Sequence, residues 1–146
     1  MKVYRVCLES GAELGPYQVV DFGACFGHDI RNTHPVFSVY DWYSAEEIQE
    51  MWVSDYEPFF GFISIRQAYL WFCTFDESEL IEFAKDHGIE VSVFEIDEDY
   101  VIEDAMKTQC VFPLELAEHL YSFSMDELVY ETHPDFELDR PVTLMV

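Results

Sequence analysis

The opening segment Lys2-Val3-Tyr4-Arg5-Val6-Cys7-Leu8 carries the β-branched and aromatic character of a first strand, and Gly15-Pro16 marks a turn soon after. Val19 to Tyr43 lacks a clear period; with Gly23, Gly27 and Pro35 it reads as a long irregular excursion holding at most short strands. Ser44-Ala45-Glu46-Glu47 has capping-box spacing, in which the hydroxyl accepts from an open backbone N–H and Glu47 reaches back, so a helix is expected over about Ala45 to Trp52. Phe60-Gly61-Phe62-Ile63 leads to Ser64, the expected cap of a helix running through Ala68, Leu70, Trp71 and Phe72.

A second capping box, Asp76 with Glu79, precedes the apolar stripe Leu80, Ile81, Phe83 and Ala84, which stops at Gly88. Glu90 to Ile96 reads as a buried strand, Asp97-Glu98-Asp99 as a turn or strand edge, and Thr108 to Phe112 as another strand. Pro113-Leu114-Glu115-Leu116-Ala117 resembles a helix start, since proline is tolerated in a first turn. From Ser122 to Val146 the pattern is ambiguous, with a short helix starting near Ser124 and an edge strand over Pro141 to Val146 as the candidates. Strands and helices mix without βαβ alternation. The expectation is one α+β domain over residues 1–146, with a small mixed or antiparallel sheet and three to five helices.

Composition changes this picture by its charge. Thirty Asp and Glu against seven Lys and Arg leave a net charge of -23 on 146 residues, whereas solubility of a small domain needs only about 2–8. The chain nevertheless folds on this reading, because half of its residues are apolar and 17% aromatic, unlike disordered acidic tails. Residues 1–74 hold ten acids and four bases; residues 75–146 hold twenty and three. That polarity, with the thirteen Phe, counts against a general halophilic surface and for one acidic face or end.

Asp76, Glu79, Glu82 and Asp86 recur at spacings of three, three and four, which places them along one helix face with only Lys85 as local relief. Glu95, Asp97, Glu98, Asp99, Glu103 and Asp104 form a second cluster soon after. Carboxylates fixed on a rigid body resemble a phosphate backbone, so the expected partner is a basic nucleic-acid-binding protein such as a CRISPR effector or restriction enzyme. Seven bases are too few for direct binding to nucleic acid.

Other chemistry is thin. Cys25, His28 and His34, with Asp21 or Asp29, have zinc-ligand chemistry but lack a second Cys-x-x-Cys or His-x-x-His half, so no metal is expected. Cys7, Cys25, Cys73 and Cys110 are widely spaced, two of them within apolar runs, and read as reduced core residues. His87, at a helix end, is explained by the helix dipole, and His119 and His133 have no recognisable partners. No nucleophile elbow, P-loop, zincin or dinucleotide fingerprint occurs, so a non-enzymatic protein without cofactor is expected. With no eighteen-residue apolar run and no charged-then-apolar leader, a cytoplasmic location without membrane contact is expected.

Val3-Tyr4-Arg5-Val6, Gly15-Pro16-Tyr17, His34-Pro35, Phe60-Gly61-Phe62-x-Ser64, Trp71-Phe72 and Gln109-Cys110-Val111-Phe112 occur in an order that resembles a family of small bacteriophage proteins, over roughly residues 3–112. The resemblance implies a phage origin, hence a host cytosol, rather than an activity. Together with the acidic clusters it implies an inhibitor of host defence, of anti-CRISPR or anti-restriction type, that mimics DNA charge. The layout also resembles the ADP-ribosyltransferase fold. That likeness implies nucleotide binding by Arg5, Ser64 and Gln109, with Gln109 standing where the family's Glu would polarise the ribose. An ADP-ribosyltransferase-like enzyme, or a degenerate nucleotide-binding relative, is therefore the alternative.

Overall fold

A computed structural model describes residues 1–7, 58–72, 77–103 and 109–138. Along the chain run strand β1 (Lys2–Cys7), strand β2 (Pro58–Gly61), helix α1 (Ile65–Phe72), helix α2 (Glu77–His87) and strand β3 (Glu90–Glu95). A 3-10 turn (Glu98–Tyr100), strands β4 (Ile102–Glu103) and β5 (Cys110–Pro113), and a second 3-10 turn (Leu114–Leu116) follow. Strand β6 (Glu118–Ser124) and helices α3 (Met125–Val129) and α4 (Asp135–Leu138) complete the described chain. The architecture is α+β, as expected, with two three-stranded antiparallel sheets among the described residues, ordered β1-β3-β6 and β2-β5-β4.

Period-two alternation in the larger sheet serves two cores. Tyr4, Val6, Val91, Val93 and Phe123 meet Ile65, Ala68, Trp71 and Phe72 of α1, Leu80, Ile81 and Ala84 of α2, and Leu128 and Phe136 of α3 and α4. The alternate residues Val3 and Phe94 instead meet Cys110 and Phe112 of the smaller sheet, with the Phe94 and Phe112 rings 5.9 Å apart. The larger sheet is thus sandwiched between helices and the second sheet. Among the described residues a β-bridge joins the sheets' backbones: Tyr4 N–H donates to the Phe62 carbonyl at 2.8 Å, and Phe62 N–H to that of Tyr4 at 2.7 Å.

Local chemistry sets several ends as the sequence suggests. The Ser64 hydroxyl accepts from Gln67 N–H at 3.1 Å at the start of α1, and Gly88, at φ 67, closes α2. Two expectations shift. Pro113 ends β5 instead of opening an α-helix, and only one 3-10 turn follows it, because Glu118–Ser124 is drawn into pairing with β3. That seven-residue strand is absent from the sequence reading, in which its first residues fell beside the expected helix start and its last in the ambiguous tail. The Asp97-Glu98-Asp99 turn forms as a 3-10 turn, with the Asp97 carboxylate accepting from Asp99 N–H at 3.0 Å. The Gly15-Pro16 turn, the 19–43 excursion, the Ser44 helix, the Asp76 cap and the Pro141–Val146 strand lie outside the described residues.

Helix α3 ends unusually. Glu131 sits in the left-handed region at φ 54, where glycine is the ordinary choice, while Thr132 N–H closes onto the Glu127 carbonyl at 3.1 Å. Its carboxylate pairs with Arg66 on α1 at 3.3 Å, across a half-exposed surface. Glu131→Ala and Glu131→Gly lose this pair equally, but only alanine keeps the backbone penalty. Urea unfolding should therefore find the glycine variant more stable by about 1 kcal/mol; equal stabilities would show that the turn carries no such penalty.

Candidate functional site

Helix α2 separates its residues cleanly. Leu80, Ile81 and Ala84 are buried against the larger sheet's core, and Glu79, Glu82 and Asp86 stand on the exposed side. Lys85 lies among them and reaches Asp126 of α3 at 3.5 Å, which carries the acidic surface from α2 to α3. The second cluster lies past the far end of β3. Glu95 is that strand's last residue, and Asp97, Glu98 and Asp99 are exposed on the turn after it. Glu90 to Glu95 spans about 17 Å of strand, so Asp86 and the Glu95–Asp99 group flank opposite ends of β3. Glu103 departs from both clusters: it is half-buried on β4, opposite Cys110 in the smaller sheet. Asp76 and Asp104 lie outside the described residues.

The described Lys and Arg side chains each have a partner within the chain. Lys2 lies 3.6 Å from Asp135, Arg66 pairs with Glu131, Lys85 with Asp126, and buried Arg5 donates to the Phe60 carbonyl at 2.6 Å. The exposed carboxylates of α2 and of the turn after β3 therefore dominate their surfaces.

Arg5, Ser64 and Gln109 fall near the seam between the sheets. Arg5 is 8% exposed, with its guanidinium 5.2 Å from the centre of the Phe59 ring; Ser64 caps α1; Gln109 is 3% exposed just before β5. All three have internal positions or contacts. Cys7 and Cys110 are free and buried, as expected of core residues, and burial pushes the Cys7 thiol up despite opposition from the Arg5 charge and the Ser92 and Arg5 hydrogen bonds. Among the described residues no three His, Cys, Asp or Glu side chains are grouped to hold a metal; Cys25, His28, His34, Asp21 and Asp29, and also Cys73, lie outside them. No helix of the described residues is long and apolar enough to cross a membrane. His87 ends α2, with its ring 4.3 Å from that of Phe83.

The bacteriophage T4 Y00F protein family matches residues 1–126, most of the chain. The chain belongs to this family. The resemblance to small phage proteins carried by Tyr4-Arg5-Val6, Phe60-Gly61-Phe62 and Gln109-Cys110-Val111-Phe112 is thereby borne out. No curated protein and no solved structure matches the chain. Within the Y00F match lie β1 to β6, α1 and α2; α4 lies beyond it.

That last helix carries a polar centre the sequence reading missed. Asp135, 4% exposed, accepts from the Tyr4 hydroxyl at 2.8 Å and the Tyr121 hydroxyl at 2.5 Å, with Lys2 also facing the same oxygen. Burial pushes its carboxyl up, but the two phenols and the Lys2 charge outweigh this and hold it below the ordinary range. The Tyr121 phenol is pushed up by burial and by its bond to the carboxylate. His133 Nδ1 accepts from Asp135 N–H at 3.0 Å, so that nitrogen has no proton to offer the carboxylate 3.7 Å away. The His133 ring also stacks on Phe123 at 4.1 Å. The cluster ties α4 to β1 and β6, a structural role. Only a Tyr-Asp-Tyr convergence across residues 4, 121 and 135 reveals it, and no local spacing encodes that.

Proposed function

We propose that this phage-family protein is a non-enzymatic acidic decoy that occupies the basic nucleic-acid groove of a host defence or DNA-processing protein, of the CRISPR or restriction type. One observation carries the reading: exposed carboxylates stand on folded elements, α2 and the turn after β3, where Lys85, paired with Asp126, is the one Lys or Arg among the described residues of those two elements. Rigid anionic points are what Lys and Arg in such a groove meet on DNA, and their field steers association at low salt. Inhibition is then competitive exclusion with no bond made or broken. The nucleotide alternative finds less support, since Arg5 and Ser64 already hold the Phe60 carbonyl and the first turn of α1.

Competition against labelled duplex DNA tests the reading on a restriction endonuclease, an RNA-guided nuclease and a nucleoid protein of the host. The protein should displace DNA from at least one of them, less effectively as salt rises. The E79K/E82K/D86K variant should need at least about tenfold more protein for the same displacement. Absence of competition with all three, or competition indifferent to salt, overturns the decoy.

A further inference from the structure

We infer that Ser122 is a modification site, a serine that takes an acyl group from an activated ester with His119 as its base. Exclusion of DNA makes no bond, so this reactivity stands apart from the decoy reading and neither depends on the other. Ser122 and His119 lie three apart on β6, a spacing that in a regular strand sends side chains to opposite faces. A bulge changes this. Val93 faces Tyr121 and Phe94 faces His119, so Leu120 is an extra residue that turns His119 onto the face of Ser122. Its Nε2 lies 2.9 Å from the Ser122 hydroxyl oxygen, and its ring packs 5.3 Å from that of Phe94.

A third group stands behind. Ser92, directly opposite on β3 and fully buried, has its hydroxyl oxygen 3.0 Å from that of Ser122. Donation from Ser92 to Ser122, and from Ser122 to Nε2, satisfies both contacts and aims the Ser122 proton at the imidazole. Nucleophile, base and a group that orients the nucleophile are thus within hydrogen-bond reach of one another. His119 is exposed and Ser122 half-buried, so a donor reaches them from solvent. In the reaction Oγ bonds to the acyl carbon, its proton passes to Nε2, and the bond to the leaving oxygen breaks; the imidazolium then returns the proton to that oxygen. The product is a serine ester, whose alkoxide leaves far less readily than the phenolate of an activated donor, so the acyl group stays. The exposed neighbour Glu118 and the net charge of -23 favour acyl donors over anionic phosphoryl donors.

The probe is p-nitrophenyl acetate added to the full chain, with phenolate release followed by absorbance and the adduct placed by tandem mass spectrometry. A burst of about one equivalent of phenolate should leave an acetyl group on Ser122, a position read in the parent without any variant. Ser122→Ala should abolish the burst, and His119→Gln should slow it at least about a hundredfold. Ser92→Ala should slow it too, while leaving the slow labelling of surface lysines unchanged, which a loss of fold would raise. An acetyl group on His119 or on lysines in place of Ser122, a burst that survives Ser122→Ala, or a rate indifferent to His119→Gln overturns the assignment.

Discussion

Replacing Asp135 with alanine should lower the free energy of unfolding by about 3 kcal/mol, the sum of one buried and one partly buried hydrogen bond to a charged acceptor. Tyr4 is 2% exposed, so its hydroxyl has no water to turn to once the carboxylate is gone. Lys2 loses its partner too, and α4 loses its tie to β1 and β6. Urea midpoints at constant slope would measure the loss. Asp135→Asn should fall between parent and alanine, because an amide oxygen still accepts from the phenols without the charge.

The same pair of chains has a defined pH dependence. Asp135 has a folded pKa held below its unfolded value, so the folded chain takes up its proton less readily. Its stabilisation is complete above the unfolded carboxylate value, about 4, and drains away as pH falls through the lower folded value. The stability gap between parent and Asp135→Ala should therefore narrow below about pH 4, while the other acids titrate alike in both chains. A gap that stays constant from pH 7 to pH 3 would mean that the carboxylate's charge contributes nothing to the tie.

Gly61→Ala should cost about 2 to 3 kcal/mol, at the upper end for adding one methyl group to a packed core. A Cβ at this position would lie 2.9 Å from Phe112 Cε1, 2.9 Å from Val3 Cγ1 and 3.0 Å from the Tyr4 carbonyl oxygen. The first atom belongs to the smaller sheet and the other two to β1, so the glycine sits where the sheets meet. No single side chain can move aside, because Val3 and Phe112 are fully buried and the Tyr4 carbonyl is held by Phe62 N–H. Chemical denaturation of the variant checks this; a loss under about 0.5 kcal/mol would mean the seam has slack to absorb a methyl group.

Residue order alone determined the elements whose causes are local. The β-branched and aromatic residues Val3, Tyr4 and Val6 made β1, Ser64 and Gly88 set helix ends, and the spacing of Glu79, Glu82 and Asp86 placed three acids opposite Leu80 and Ala84. Caps, turns and faces depend on neighbours within about four residues, so they can be read from the chain. The -23 net charge likewise needs no coordinates. Tertiary structure decided what depends on partners far along the chain. Pairing with β3 made Glu118–Ser124 a strand beyond a proline that suggested a helix, and register set Glu118 opposite Glu95. Folding brought Tyr4 and Tyr121 onto Asp135 from 131 and 14 residues away. Glu103, grouped by sequence with exposed acids, was turned partly inward on β4. Such contacts arise only when a whole sheet closes over its core, because the energy that selects them comes from long-range packing and register.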